Sequence, residues 1–367
     1  MRVVHLLPLS PTIASLAIAS LAIAVPLGAQ TPAPPSASPA ARPPAAPFVK
    51  TEAEAVVAAL ATQLEANFVF PEAGKDYAAM LRSKLAAGGY AQFADSEAFA
   101  KAVTADLQAV HKDGHLALHP PRTDAGGMRQ MRRGPPDTNA ITKSGWLADG
   151  IAYIDFAGFP GNEATLAALK SFIAAHQDAK TLIIDARNHH GGGLAEMDVM
   201  FPQLFAKPTV LVDMDTRVAV EQRGGDPLGD AMLRKVPGPE GVVRREHYVV
   251  PAAHQGALAK AKVYLLVSHD TGSAGEHLSL ALKRTHRATL IGQTTRGMGN
   301  YGGMEPLGFG YAAFIPVGRT FDPDTGVGWE GTGVAPDVAV PADQALDKAL
   351  QLAGVKVSGD VALASLK

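Results

Sequence analysis

Ser273 lies where a predicted strand turns into a predicted helix. The apolar run AKVYLLVS (residues 261–268) precedes it, and the helix-forming run AGEHLSLALKR (residues 274–284) follows it. A serine displayed on such a turn could act as a nucleophile. The four letters S-A-G-E that begin at Ser273 also match the S-x-x-E capping box of many ordinary helices. The stretch alone leaves both interpretations open.

A nucleophilic serine needs a base within hydrogen-bonding reach and a third group that orients the base. His115 is a candidate base among the 12 histidines, because the letters DGHL put it just after a turn, at the start of a short strand. A lone histidine is more commonly a surface or core residue. Glu330, in the glycine-rich segment GVGWEGTG, could orient a histidine or could be an ordinary solvated turn residue.

Gly191, Gly192 and Gly193 follow a predicted buried strand and precede a predicted helix. Their free amides could stabilise the oxyanion of a tetrahedral intermediate if Ser273 lies opposite. They could also bind a phosphate, but the run lacks the G-x-G-x-x-G order and a following Lys-Ser or Lys-Thr pair. A third interpretation is structural: the glycines let the helix pack closely on the strand.

Two groups of histidines have a spacing that could bind a metal ion. His111, His115 and His119 are four residues apart, but a nearby glycine and two prolines disfavour a helix there, and the chain has no HExxH motif. His189 and His190 are adjacent on a turn, so their side chains diverge. The chain has no cysteine, which excludes disulfides and thiolate ligands. No metal site is therefore predicted.

The net charge of −2 over 367 residues gives no electrostatic reason to predict a nucleic-acid or membrane-surface partner. Residues 1–29 are predicted to be a secretory signal, because Arg2 precedes a short apolar stretch that ends in small residues. A retained membrane anchor is the alternative. The predicted location is periplasmic or extracellular. Residues 30–49 form a Pro/Ala-rich linker of the kind that stays extended.

The rest of the chain divides into a helical front and an α/β core. Residues 50–120 are predicted as a helical N-terminal domain, because apolar residues recur there in steps of four. Residues 121–143 are predicted as a loop, in which residues 122–136 could act as a lid or be disordered. Strand-like and helix-like segments alternate over residues 144–345, which predicts a mostly parallel α/β core. Residues 346–367 form a C-terminal tail or helix. Ligands bind at the carboxyl ends of strands in such cores, where Ser273 and the glycine run both lie.

Four segments resemble the serine peptidases of the tail-specific, or C-terminal-processing, superfamily: LIIDARNHHGGG, SHDTGSAGEHLSLALKR, ATLIGQTTRG and VGWEGTGVAPDV. They follow one another in the family's order, and the resemblance covers about residues 50–345. The helical front, with NFVFPE and VHKDGHL, is similar to the branch that includes interphotoreceptor retinoid-binding protein and the tricorn protease core. The resemblance implies an α/β fold of the crotonase and ClpP type.

The resemblance also implies a Ser-His-Glu triad. Ser273 matches the family's nucleophile, His115 matches the histidine base of the tricorn-like members, and Glu330 matches their carboxylate. The oxyanion hole would be formed by the amide of Ala274 together with that of Gly191 or Gly192. This chemistry needs no metal ion and no cofactor, and the expected substrate is a peptide or protein.

Three departures separate this chain from the family's pattern. Met298 stands where the Ser/Lys members have a lysine, so the role of base shifts to His115. The span from Pro120 to Lys143 is too short for the family's PDZ domain, so none is predicted. His189 stands where the family often has an asparagine near the glycines.

The sequence thus predicts an exported serine peptidase that works through an acyl-enzyme. Two other functions stay open: a catalytically silent module that binds an apolar small molecule, and an esterase or amidase. Fold alone does not decide among them. The joint presence of Ser273, His115 and Glu330 favours catalysis, because a binding module has no chemical need for all three.

Overall fold

The computed structural model describes residues 45–121, 138–224 and 232–366. The predicted signal, most of the Pro/Ala-rich linker and the candidate lid (residues 122–136) lie outside these residues. Within them, none of the helices combines the length and the apolar character that a membrane span requires.

Three helices form the front of the described chain: α1 (Lys50–Asn67), α2 (Pro71–Ala86) and α3 (Ser96–Val110). The steps of four predicted for α1 are confirmed, since Val56, Leu60 and Leu64 are all buried. Proline at the first position of α2 suits a helix start. The Asp95 carboxylate caps α3 by accepting the Ala98 N–H at 2.8 Å.

The other helices of the described residues are α4 (Glu163–Ala175), α5 (Ala195–Leu204), α6 (Val218–Gly224), α7 (Ala274–Arg284), α8 (Ala345–Leu352) and α9 (Gly359–Ala364). The strands are β1 (Ala117–His119), β2 (Ile141–Ala148), β3 (Ile151–Phe156), β4 (Thr181–Asp185), β5 (Thr209–Arg217), β6 (Leu233–Val236), β7 (Val242–Val249), β8 (Lys262–Val267), β9 (Thr289–Gly292), β10 (Asn300–Gly308), β11 (Tyr311–Phe321) and β12 (Val338–Ala339).

One six-stranded sheet forms the α/β core, in the spatial order β12-β9-β8-β4-β3-β2. Every neighbouring pair is parallel except β2 with β3. Helices α4, α5 and α7 pack on one face, and α8 and α9 pack on the other. Because both faces are covered, all residues of β4 are buried. The predicted mostly parallel α/β core is confirmed.

A second sheet is antiparallel, in the order β1-β11-β5-β7-β6, with β10 also paired to β11. The sequence interpretation puts KPTVLVDM (residues 207–214) in the parallel core, whereas the structure has it in β5 of this sheet. The reason lies in the connections. The short segment between β6 and β7 makes a hairpin, and β7 returns antiparallel to β5, so no helical crossover is needed.

The front helices share one hydrophobic core with the antiparallel sheet. Leu116, Leu307 and Ile315 pack in the same cluster as the buried residues of α1, α2 and α3. The helices therefore do not form a free-standing bundle, and the sequence pattern did not predict this packing.

The parallel sheet brings the two candidate turns to one edge. β4 and β8 are parallel neighbours, with Asp185 opposite Leu266. The glycine run follows β4 and Ser273 follows β8, so both lie at the carboxyl ends of adjacent strands, as predicted.

Candidate active site

Ser273 immediately precedes α7 and has an uncommon backbone conformation, with φ 52° and ψ −115°. Such a conformation costs about 1–3 kcal/mol and persists only where the surrounding packing enforces it. The amino terminus of α7 adjoins the serine, and the partial positive charge of a helix start favours negative charge that develops there. The local geometry is thus suited to a nucleophile.

The Glu276 half of the predicted capping box is present, and Glu276 does more than cap the helix. Its fully buried carboxylate accepts the Ser273 N–H at 2.8 Å. It also accepts three donors from the segment after β9: the hydroxyl of Thr295 at 2.7 Å and the N–H groups of Gly297 and Met298 at 2.6 and 2.8 Å. The Ser273 hydroxyl makes no side-chain cap hydrogen bond to α7. Glu276 therefore fixes the backbone of the serine and leaves its hydroxyl available.

Gly191 lies directly beside Ser273 and has a φ of 104°. A methyl group on Gly191 would lie 2.9 Å from Cβ of Ser273, so this approach requires a glycine. The Gly191 N–H donates to Nδ1 of the buried His189 at 3.1 Å. That amide is therefore already engaged in this structure, and Gly191 as an oxyanion donor stays a prediction.

Two other amides near the serine have no acceptor among the described residues, those of Gly192 and Ala274. The residues on either side of Gly192 are paired with Phe159: its N–H donates to the Gly191 carbonyl and its carbonyl accepts the Gly193 N–H, each at 2.8 Å. This pairing directs the Gly192 N–H away from Phe159. Gly192 and Ala274 are therefore the candidate oxyanion donors.

His115 is held in a turn between α3 and β1. Oδ1 of the buried Asp113 accepts the N–H groups of His115 and Leu116, at 2.9 and 3.0 Å. The imidazole stacks on Phe314 of β11, with ring centroids 5.0 Å apart. Its Nδ1 is buried and has no hydrogen-bond partner in the described chain. Burial lowers the pKa of His115 from 6.5, and the charge of Asp113 opposes part of this shift.

Glu330 anchors the backbone around His115 and does not hydrogen-bond to the ring itself. One carboxylate oxygen accepts the Gly114 N–H at 2.7 Å, and the other accepts the N–H groups of Gly299 and Asn300 at 2.6 and 2.9 Å. Burial raises the pKa of Glu330, Asp113 raises it further, and the backbone hydrogen bonds act in the opposite direction.

Asp113 belongs to the same cluster, although the sequence reasoning did not select it. Single ligand-type atoms of Asp113, His115 and Glu330 lie within 4.8 Å of one another. The other oxygen of Asp113 accepts the side-chain amide of Asn300 at 2.9 Å. The only signal in the sequence was its position two residues before His115, in a turn where aspartate commonly binds backbone amides.

The same cluster is the one group in the described chain that gathers three potential metal ligands. Each of its carboxylates already accepts backbone N–H groups. His111, His115 and His119, which are spaced four residues apart, do not form a cluster of metal ligands in the described residues. The exposed His111 pairs with Asp76 at 3.0 Å, and His119 lies in extended strand β1. These contacts fit an anchored turn better than a metal centre.

Ser273 and His115 are not joined by a hydrogen bond among the described residues. Met298 lies between their turns. A methyl group on Gly114 would lie 2.9 Å from Cγ of Met298, and one on Gly272 would lie 3.7 Å from its sulfur. The methionine expected at the family's lysine position thus separates the serine turn from the histidine turn.

A cavity of about 450 Å³ opens over Ser273. Its volume falls within the range of small-molecule and side-chain pockets. Its lining includes Gly192, Ala274, His277, Met298, Asn300 and Trp329. Asn300 also contacts the histidine cluster, so the serine cavity and that cluster share a wall.

Two family models match the sequence. The model of peptidase family S41 matches residues 150–340. The model described as the N-terminal domain of the S41 peptidase in eukaryotic IRBP matches residues 47–140. Together they cover the front helices, all strands of the antiparallel sheet, and all strands of the parallel sheet except β2.

Solved structures share this fold at low sequence identity. The photosystem II D1 C-terminal processing protease superposes with a TM-score of 0.52 and 15% identity, over 80% of this chain and 94% of that one. A protein from Parabacteroides merdae described as a candidate peptidase gives 0.53 and 18%, over 85% and 96%. The tricorn protease gives 0.50 and 13%, over 86% of this chain and 36% of that one. At these identities the likeness concerns the fold.

Proposed function

The chain belongs to peptidase family S41, and from this premise we propose that it is a serine peptidase that cleaves peptide bonds through an acyl-enzyme on Ser273. The observation that carries the proposal is the setting of this serine. It combines a strained conformation, an uncapped hydroxyl, the start of α7 and two free amides at Gly192 and Ala274. An ordinary helix cap needs neither the strain nor the free amides.

His115 is the proposed general base. Its lowered pKa keeps the imidazole unprotonated at neutral pH, as a base requires. Its ring must come within about 2.6–3.2 Å of the serine oxygen during catalysis, a contact that often tightens only when substrate binds. Glu330 and Asp113 hold the turn through Gly114 and the backbone of His115, and their charge favours the imidazolium that forms.

The proposed reaction has two halves. The Ser273 oxygen bonds to the peptide carbonyl carbon while its proton passes to His115, and the carbonyl oxygen becomes an oxyanion near Gly192 and Ala274. The carbon–nitrogen bond then breaks as His115 returns the proton to the leaving amine. A water molecule, deprotonated by His115, hydrolyses the ester and restores the serine. No step in this sequence calls for a metal ion or cofactor.

We also propose that the substrate is a peptide or protein met outside the cytoplasm. The support is the sequence of residues 1–29, which has the order of charged, apolar and small residues typical of an export signal. The Pro/Ala-rich linker after it would separate the folded part from a membrane if the signal were retained.

A second candidate function is binding of an apolar small molecule without catalysis. The missing hydrogen bond between Ser273 and His115 favours it, and so do the buried apolar side chains in the cavity, including Leu194, Met214 and Trp329. An esterase or amidase activity would use the same serine, base and amides as the peptidase.

Labelling with a serine-directed fluorophosphonate tests the proposal. The purified protein is compared with Ser273→Ala and His115→Ala, and the exposed residues Ser83 and His254 supply matched alanine controls. We expect the wild type and both controls to label and the two site variants to fail. A folded wild type that stays unlabelled would overturn the peptidase proposal and favour the binding function.

A further inference from the structure

Three side chains from three elements form a hydrogen-bonded series, with two buried histidines, that ends at the serine cavity. Asp198 of α5 lies 3.1 Å from Nε2 of His247 in β7. Nδ1 of His247 lies 2.8 Å from Nε2 of His277 in α7. Both histidines are buried, and His277 lines the cavity over Ser273. The proposed mechanism uses none of these groups.

The donor and acceptor of each hydrogen bond in the Asp198–His247–His277 series follow from the carboxylate at its start. An ionised carboxylate can only accept, so Asp198 makes Nε2 of His247 a donor. A neutral imidazole has one donor and one acceptor, so Nδ1 of His247 accepts from Nε2 of His277. The remaining nitrogen, Nδ1 of His277, then carries a lone pair and no proton.

The protonation states of the three groups agree with this order. Burial lowers the pKa of His247 to about 3 and that of His277 well below 6.5, so both rings are neutral at neutral pH. Burial raises the pKa of Asp198 to about 6, which still leaves it mostly ionised at pH 7 and above. No other described residue hydrogen-bonds to His277 through its ring.

His277 lines the cavity four residues after Ser273, one turn further along the same face of α7. Its ring centroid lies 6.4 Å from that of Trp329, and both residues are buried, whereas the lining residues Gly192 and Gly303 are exposed. The cavity therefore has an exposed part and a buried part, and the His277 ring belongs to the buried part.

We propose that His277 is a specificity-determining residue, which uses its unprotonated ring nitrogen to select a substrate side chain with an apolar body and a neutral hydrogen-bond donor at its tip. This inference rests on the proposed function, since it concerns the side chain next to the bond that is cut. Tyrosine and tryptophan have this chemistry. A carboxylate offers only acceptors, and an ammonium group would lose its hydration beside a buried ring that carries no charge.

The test measures binding in the Ser273→Ala background, so that it does not depend on catalysis. The probes are acetyl-Ala-Ala-Tyr-amide and its Phe counterpart, which differ by one hydroxyl. We expect the Tyr peptide to bind about 10-fold or more tightly than the Phe peptide, because a site built around a buried polar group discriminates against a ligand that leaves it unpaired. Adding His277→Leu should abolish this ratio, while His277→Asn, which keeps an acceptor near the position of Nδ1, should retain part of it.

Asp198→Asn provides a second variant that does not remove a ring from the core. Its amide can also donate, so the order of hydrogen bonds is no longer fixed, and the Tyr/Phe ratio should fall. The exposed His254→Leu is the control and should keep the ratio. Equal affinities for the two peptides, binding of neither, or a ratio that survives both His277→Leu and Asp198→Asn would overturn the proposal.

Fluorophosphonate labelling separates this failure from a failure of the peptidase proposal. If the wild type does not label but the Tyr/Phe ratio depends on His277, the cavity is selective while the serine is not activated. If His277→Leu removes labelling as completely as His115→Ala, His277 acts on the serine itself and the specificity role is wrong.

Discussion

The Gly191 N–H donates a hydrogen bond to Nδ1 of His189, so a buried histidine holds the glycine turn beside Ser273. Burial lowers the pKa of His189 to about 3, which keeps the ring neutral and Nδ1 an acceptor. The His189 carbonyl also accepts the Gly272 N–H at 2.9 Å. One residue therefore binds both turns of the site, and it sets which glycine amide is left free.

Replacing His189 should loosen this turn. In His189→Leu the Gly191 N–H loses its acceptor, and an unsatisfied buried amide costs about 1–3 kcal/mol of the free energy of unfolding. Denaturation in guanidinium chloride measures this loss, and fluorophosphonate labelling should slow in parallel. His189→Asn restores an acceptor and should recover labelling better than the leucine variant. Equal labelling by the two variants would argue against positioning by Nδ1.

Replacing Glu276 should lower the free energy of unfolding by more than the loss of an ordinary helix cap does. Glu276→Gln replaces one acceptor oxygen with a donor that faces N–H groups, in a carboxylate with four donors. We expect a loss of about 3 kcal/mol or more in the free energy of unfolding, because hydrogen bonds to a charged group contribute about 1.5–3 kcal/mol each. The exposed Glu163→Gln is the control and should stay within about 0.5 kcal/mol. A change of only about 1 kcal/mol for Glu276→Gln would fit a simple cap.

The positions of Ser273 and the glycine run could be predicted because each depends on a local rule. Turn residues after buried strands mark both sites, and parallel neighbours put the ends of their strands together. The partners of those residues could not be predicted. The S-x-x-E pattern predicts that Glu276 is a helix cap. Two of its partners are nevertheless the N–H groups of Gly297 and Met298, about twenty residues away.

The base was harder to predict than the nucleophile. His115 is held by β1, which pairs with β11 some 200 residues later, with Ala117 opposite Phe314. A pairing between strands so far apart in the sequence cannot be predicted from hydrophobic periodicity. The resemblance to a family was therefore needed to select this histidine. Asp113 was missed for the same reason, because its contact with Asn300 joins distant segments. The antiparallel placement of β5 was also missed, because a buried apolar strand has the same sequence pattern in a parallel and in an antiparallel sheet.

The stability of the protein should fall on acidification from about pH 6.5. His189, His247 and His277 have lowered pKa values in the folded state, so below the ordinary histidine value of about 6.5 the unfolded chain binds protons that the folded chain does not. Each such group then removes about 1.4 kcal/mol of unfolding free energy per pH unit. His115, whose pKa is also lowered, adds to this loss, whereas Asp198, with a pKa raised to about 6, and Glu330, whose pKa is also raised, act in the opposite sense and offset part of it.

Guanidinium unfolding at pH 8, 6.5 and 5 measures this dependence. We expect little change between pH 8 and 7 and a clear loss between 6.5 and 5. The exposed His254→Ala should show the same profile as the wild type. A free energy of unfolding that is constant down to pH 5 would mean that the three rings are not held neutral in the fold.

The rate of Ser273 labelling should depend on a base whose pKa lies below 6.5. Burial lowers the pKa of His115 below 6.5, so the unprotonated form predominates at pH 7 and its fraction falls at lower pH. The rate measured from pH 8 to pH 4.5 should therefore be flat at neutral pH, with a midpoint below 6.5. The value must be corrected for unfolding, which near-ultraviolet circular dichroism at each pH reports. A midpoint above 7 would identify a different base.

Met298 offers a way to replace the base. Its side chain lies between the turns of Gly114 and Gly272, so a lysine in its place would carry an amine toward the serine cavity. In a His115→Ala background, Met298→Lys should restore part of the labelling, and the rate should rise toward alkaline pH because an ordinary lysine has a pKa of about 10.4. His115→Ala with Met298→Leu is the matched control and should stay unlabelled. A folded lysine variant that remains unlabelled at pH 10 would mean that the side chain at position 298 does not reach the Ser273 hydroxyl.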